Sequence, residues 1–494
     1  MTKQLRNIAL WLDRRLHLSQ IWEATAGHGI PKSSASWFYV FGSATMLCLG
    51  VQIVTGICLA LIYQPSAQEA YASLHYLNYE QPLGWFLRGM HYWGSNFMVA
   101  IMLMHMTQVF VFGAYKYPRE LTWVSGVILC LLTLGMAFTG QVMRWDQDAY
   151  WGLGIGVSML GRVPFIGPEL THFLMGGPII AGNSLSRFFT LHVFIIPGIV
   201  LALLSMHLRL VLSKGINEAP TAGKPVRRDS YEEEYEEMVH RGGARFAPDA
   251  IGKDLIFGGI VLGLIVACVL LFGPKGPEGI PDPTLINTNP RPDWPFLWFF
   301  AVASLMPPYM ESVVLLLGPV VAIGIVIALP FFDNTGEKKW TLRPVSTVSL
   351  ILVVVSLAAF TWYGATSPWS PEMDAWSSEP TPSHMIDGRT PLELQGALVF
   401  QYKQCRNCHA LDGIGGQRGP ALDLVADRMT PDQLVRQVVQ GSGNMPAYGQ
   451  NISPAEVKAV VAFLHTLHTE GRLPAQTALN LHEDPEGSPA GGDE

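Results

Sequence analysis

Seven long apolar runs decide what this chain can fold into. They lie near residues 35–63, 89–115, 121–143, 188–208, 255–272, 312–332 and 345–363. Each is long enough to cross a hydrocarbon core, which takes about 20 residues of helix. Lipid offers no partner to an open backbone group, so such runs become helices that close their own hydrogen bonds. Composition agrees. Asp, Glu, Lys and Arg supply 14% of the residues and apolar ones 49%, where soluble domains carry about 25% charge. A mean hydropathy of +0.27 excludes a disordered chain, and a net charge of −7 offers nucleic acid no basic surface. The expected fold class is an all-α membrane protein held in lipid, with a small soluble helical domain after the last span.

The connections have their own asymmetry. Residues 1–34 alternate charge with Trp11, Leu12, Leu16 and Trp22 and have no cleavage site, so they read as an amphipathic helix on the cytoplasmic surface, not a signal peptide. Lys and Arg gather in that arm and in the second, fourth and sixth connections, which hold Lys116 and Arg119, the stretch from Arg209 to Lys253, and Lys338, Lys339 and Arg343. The positive-inside rule makes those faces cytoplasmic and puts the C-terminus outside. Phe296 to Met306 is too short to span and ends at Pro307-Pro308, so it reads as a re-entrant or interfacial helix. Residues 216–250 form a cytoplasmic loop in which the acidic run Tyr231 to Glu237 is a solvated stretch. Residues 366–390 are a linker, 391–475 a soluble helical domain and 476–494 a disordered tail.

The soluble domain holds Cys405-Arg406-Asn407-Cys408-His409. Two cysteines spaced by two residues and followed at once by histidine form a c-type haem attachment site. The thiols of Cys405 and Cys408 add to the haem vinyl groups and His409 takes the iron; a zinc site would need further Cys or His partners. Met445, in Gly-Ser-Gly-Asn-Met-Pro, is the expected sixth ligand, and Met429, before a helical stretch, reads as packing. The arrangement resembles small class I cytochromes c, including Gly419-Pro420 between the two ligands.

Four histidines lie inside the apolar runs. His91 and His105 are 14 residues apart on one span, and His192 and His207 are 15 apart on another. At about 100° per residue the first pair shares a face, and the second overshoots four turns by about 60°. Each helix offers one ligand near each leaflet, separated by a rise of about 21–22 Å. Chain direction pairs His91 with His192 outside and His105 with His207 inside, as for two bis-histidine b haems. Gly42 and Gly56, and Gly126 and Gly140, repeat the interval of 14, and their missing side chains suit the approach of a flat macrocycle. Arg88 and Arg187 could meet outer propionates, and Arg119 and Arg209 inner ones; each could equally be an interfacial anchor.

Residues 35–215 thereby resemble the cytochrome b subunit of Rieske-type quinol oxidoreductases, the cytochrome bc complexes. The segments Tyr117-Pro118-Arg119-Glu120-Leu121-Thr122-Trp123, Trp145-Asp146-Gln147 and Ser186-Arg187-Phe188 are similar to the family's motifs. Residues 251–365 resemble the following three-helix portion, a separate subunit in the chloroplast and cyanobacterial branch. The resemblance implies a four-helix bundle with two non-covalent b haems, three further spanning helices, and an outer quinol site. At that site the family's Pro-Glu-Trp-Tyr is replaced by Pro292-Asp293-Trp294-Pro295. Asp293 keeps a carboxylate to take a quinol proton, and could also cap the helix that follows; the tyrosine is gone. Where one branch has a cysteine for an extra inner haem, Val40 stands here. Lys253-Asp254 resembles an inner quinone-site pair, though a charge boundary at the membrane surface also explains it.

The resemblance further implies a split of the two quinol electrons. One goes to a separate Rieske iron–sulfur protein and on to the fused haem c, and the other crosses through the b haems to an inner quinone, with proton translocation. It implies a homodimer in a larger complex of a bacterial cytoplasmic membrane, and a cytochrome acceptor. The rival reading is a haem b anchor or electron conduit of a dehydrogenase, without bifurcating quinol chemistry.

Overall fold

The computed structural model describes residues 3–177, 179–282, 291–306, 308–366, 380–415, 419–441, 445, 447–449 and 451–469. Among these, seven helices are long and apolar enough to span a membrane: α1 (Phe41–Ala60), α2 (Gly84–Val111), α3 (Glu120–Val142), α4 (Gly182–Lys214), α5 (Phe246–Phe272), α6 (Val313–Phe332) and α7 (Pro344–Thr366). The chain is a multi-pass membrane protein. The N-terminal arm forms two helices, Lys3–Leu16 and Leu18–Thr25. The short apolar piece is the helix Trp294–Leu305, with Pro295 in its first turn, where a missing N–H costs nothing.

Helices α1 to α4 form the bundle, and α5 packs on α1 and α2 through Val261, Ile265 and Val269 against Ala44, Cys48, Met90, Met98 and Ile101. Gly89 admits this contact, because a Cβ there would lie 2.6 Å from Val269.

The two ends of the bundle are built differently. At one end the N-terminal arm and the second, fourth and sixth connections converge. Gly29 and Ile30 pair antiparallel with Arg245 and Ala244, Val226 bridges Gly336, and the buried Lys116 and Lys338 pair with Asp333 and Glu218. Burial lowers the Lys338 ammonium to about 8 against the opposing pull of Glu218. The acidic run is not a loop: it opens the helix Tyr231–Gly242, whose Tyr231 is buried while Glu232, Glu233 and Glu234 are exposed. Glu232, Glu233 and Glu234 sit in its first turn and its basic residues in the last, which suits the helix dipole.

The soluble domain meets the opposite end. Gln68 donates to the Gln440 carbonyl and Asn451 to that of Pro281, at 2.8 Å. Its helices Pro391–Tyr402, Pro431–Gln440 and Pro454–His465 open on one device: Thr390 with Glu393, Thr430 with Gln433 and Ser453 with Glu456 form capping boxes with proline at the first position. The first and last of these cross where Gly396 meets the Ala459 carbonyl, and Phe400 and Phe463 pack beneath, centroids 5.7 Å apart. The expected linker lies mostly outside the described residues, and the tail 476–494 entirely so.

Candidate functional site

The four intramembrane histidines project into the bundle from α2 and α4. His91 and His192 face each other with ring centroids 6.3 Å apart, interplanar angle 73°. Two metal–nitrogen bonds of about 2 Å, each from a nitrogen about 1 Å off its ring centre, span about that distance, so the gap admits one metal ion. His105 and His207 line a cavity of about 340 Å³ toward the other end, together with Gly42, Gly126, Tyr39, Arg119, Asn217 and Asp254.

Hydroxyls fix the imidazoles. Thr55 Oγ1 lies 2.9 Å from Nδ1 of His91, Thr139 Oγ1 2.9 Å from Nδ1 of His192, and Ser125 Oγ 2.9 Å from Nδ1 of His207. Each hydroxyl spends its own proton on a carbonyl of its helix, Val51, Gly135 and Thr122 respectively. Its oxygen is therefore left to accept from Nδ1–H, and Nε2 keeps a lone pair for a metal.

The glycines act one step closer than the sequence suggests. A Cβ on Gly42, Gly56, Gly126 or Gly140 would lie 3.4, 3.2, 3.3 or 2.9 Å from Cε1 of His105, His91, His207 or His192. Each glycine leaves room for the imidazole that approaches it from the facing helix.

The difference between spacings of 14 and 15 also has a local cause. Helix α4 carries a π-turn over Leu191–Ile195, just before Pro197, which has no N–H to offer the ladder. A π-bulge takes up one extra residue, so 15 residues on α4 advance like 14 on α2.

In the soluble domain, Cys405, Cys408, His409, Met445 and Met429 line one cavity of about 490 Å³. Neither cysteine forms a disulfide among the described residues; burial raises the Cys405 thiol to about 12. Burial also lowers the His409 imidazole below its ordinary value, and its Nδ1 meets the Pro420 carbonyl at 2.8 Å. Gly419 is required beside it, since a Cβ would fall 2.5 Å from Cε1 of His409. Met445 Sδ accepts from Gln437 at 3.3 Å. Met429 packs against the domain's core, as expected, and shares the cavity wall.

Asp293 sits at the start of helix Trp294–Leu305, yet its side chain caps nothing. Its carboxylate pairs with Lys275 at 3.2 Å. Its backbone N–H reaches Gln141 of α3 at 3.3 Å, and Trp294 Nε1 reaches Asn96 of α2 at 2.7 Å. The segment is thus pinned to the end of the bundle that holds His91 and His192.

The comparisons with known proteins divide the chain the same way. Residues 28–215 match the family model described as cytochrome b/b6/petB, and 282–377 that of cytochrome b(C-terminal)/b6/petD. Residues 392–464 match that of cytochrome c oxidase, cbb3-type, subunit III. A cytochrome b of Allochromatium vinosum is 31% identical over 72% of this chain and 87% of its own length. A cytochrome bc complex cytochrome b subunit of Chlorobaculum thiosulfatiphilum is 33% identical over 72% and 80%. The chain belongs to the cytochrome b family. A solved structure titled hyperthermophilic respiratory Complex III matches the fold with a TM-score of 0.61 and 25% identity, covering 73% of this chain and 91% of that one. The cytochrome b and cytochrome c modules imply haem of both types.

Within the cytochrome b portion, the other expected residues fare unevenly. Arg88 is buried but donates to Asn78 and to the carbonyls of Lys275 and Gly276. Arg187 stacks over Phe173, and Arg209 is exposed. Arg119 lines the inner cavity, though its guanidinium is held by Tyr231 and the carbonyls of Lys214 and Gly215. Lys253 and Asp254 part company. Lys253 reaches the Ala35 carbonyl at 2.8 Å, while Asp254 faces the cavity. Sequence reasoning missed Arg144, 7% exposed, whose three guanidinium nitrogens have no hydrogen-bond partner among the described residues and which pairs with the carboxylate of Asp146 at 3.6 Å. Such orphaned donors fit an anionic ligand group. It also missed Thr55, Ser125 and Thr139, although a hydroxyl residue directly before three of the four glycines is a readable signal.

Proposed function

We propose that this chain is the cytochrome b and c subunit of a quinol:cytochrome c oxidoreductase. His91 with His192 and His105 with His207 would hold two b haems, and Cys405, Cys408, His409 and Met445 one covalent haem c. The observation that carries this is the 6.3 Å gap between the rings of His91 and His192, with both Nδ1 atoms committed to hydroxyls. Arg144 is the better candidate for an outer propionate than Arg88 or Arg187. Such haems supply one-electron transfer, here linking an outer quinol site to an inner quinone site and, through a separate Rieske protein, to the fused haem c.

The residues do the rest. Asp293 accepts a proton from quinol at the outer site, and Lys275, 3.2 Å away, holds its carboxylate in place. Pro292 and Trp294 shape the approach, with Trp294 locked to Asn96. Pro295 starts the helix but offers no phenol, so Asp293 works without one. Asp254 is placed to serve an inner quinone, and Lys253 secures its helix. The arm and the even connections face the cytoplasm and the cytochrome c domain faces outward from a bacterial cytoplasmic membrane. The chain works as a homodimer with a Rieske partner and a cytochrome acceptor.

Asp293→Asn in the intact complex should slow quinol oxidation by about 10²-fold or more, within the range for loss of a general base, with haem content unchanged. Unaltered turnover would remove Asp293 from the mechanism. A pyridine haemochrome assay should count two extractable b haems to one covalent c.

A further inference from the structure

Three of the four intramembrane histidines meet a hydroxyl, and the fourth does not. Thr55, Ser125 and Thr139 precede Gly56, Gly126 and Gly140, but Phe41 precedes Gly42. Nδ1 of His105 is buried with no hydrogen-bond partner among the described residues. The ring is seated like that of His192, which does meet a hydroxyl: Nδ1 and Nε2 lie 3.7 and 3.7 Å from a Cβ on the facing glycine, against 3.6 and 3.5 Å. The bare nitrogen therefore follows from the side chain at position 41 and not from a different pose of the histidine. That side chain packs edge-on against Phe257, centroids 5.6 Å apart.

A ligand imidazole that donates Nδ1–H to an acceptor is the more basic ligand, and a more basic ligand favours ferric over ferrous iron. The outer pair has both imidazoles supported in this way and the inner pair only one. We propose that Phe41 is a positioning residue that withholds a hydroxyl from His105 and so raises the reduction potential of the inner b haem relative to the outer one. The inference rests on the two-haem reading above. It makes the electron's passage from outer to inner haem downhill, so one side chain gives the path its direction.

The test is a potentiometric titration of the purified complex, followed at the b-haem α-bands, with the low-spin ferric electron paramagnetic resonance signals recorded in parallel. Phe41→Ser should lower the reduction equilibrium constant of the inner haem roughly tenfold, about 59 mV for one electron, and leave the outer haem in place. Phe41→Ala removes the same packing without supplying an acceptor and should not lower it. Ser125→Ala, on the other ligand of the same haem, should raise it, and still decides the matter if Phe41→Ser fails to assemble. Two b haems per haem c with unmoved potentials in Phe41→Ser or Ser125→Ala would overturn the proposal. Fewer than two b haems in the wild-type complex would instead overturn the two-haem reading on which it stands.

Discussion

A Cβ placed on Gly140 would fall 2.9 Å from His192, and one on Gly42 3.4 Å from His105. That half-ångström separates a contact that forces the ring aside from ordinary van der Waals contact. Gly140→Ala should therefore cost outer b haem, with Gly56→Ala and Gly126→Ala intermediate and Gly42→Ala mildest. Gly50→Ala, where nothing lies within 4 Å, should be silent. The haemochrome ratio of b to c reads the series directly. At this scale the sequence was informative wherever chemistry needs a rare residue in a rare place, such as histidines in apolar runs or Cys-x-x-Cys-His. It was less informative about what those residues touch. The interval of 14 pointed to a flat ligand, and the structure puts an imidazole against each glycine. Lys275 could not be foreseen as the partner of Asp293, because the two stand 18 positions apart in the chain, a separation that no local pattern encodes.

Among the helices, α4 shows most clearly how backbone geometry serves spacing. Its π-turn at Leu191–Ile195 absorbs the one residue by which His192 and His207 exceed the interval on α2. Deleting Ile195 should let α4 run as a plain helix with a spacing of 14 and keep both b haems. Inserting one alanine after Ile195 should swing His192 about 100° from its partner and lose the outer haem; optical spectra and the b-to-c ratio distinguish the two. The spans were legible because apolar length is a strong signal, but their ends were not. The run placed at 188–208 belongs to a helix of Gly182–Lys214, whose first residues, including Ser184 and Arg187, are too polar to register. Pro197 was the visible clue to the bulge, yet a proline signals a break in the ladder without saying how the break is resolved.

At the scale of the molecule, the partition of basic residues among the connections corresponds to a physical assembly. The even connections interlock through ion pairs and the arm joins them by strand pairing; Lys338 with Glu218 is the most enclosed of the pairs, with side chains 3% and 14% exposed. Lys338→Met should strand the Glu218 carboxylate and cost about 3–5 kcal/mol, whereas Lys338→Met with Glu218→Gln should recover most of it. Thermal unfolding in detergent, with both single variants, closes the cycle. The sequence showed which connections share a face, since charge is read residue by residue; it did not show that they bond to one another. The opposite end carries a feature with a kinetic meaning. The soluble domain is joined to α7 by the chain itself and rests on Gln68 and Pro281. A tethered module stands at an effective concentration in the millimolar range, so under the proposed function its reduction would need no search through solution. Under that proposal, dilution of the complex, a rise in ionic strength or a shortage of free carrier would leave that step first order, and each quinol site is made with its own cytochrome c module in a fixed ratio of one to one.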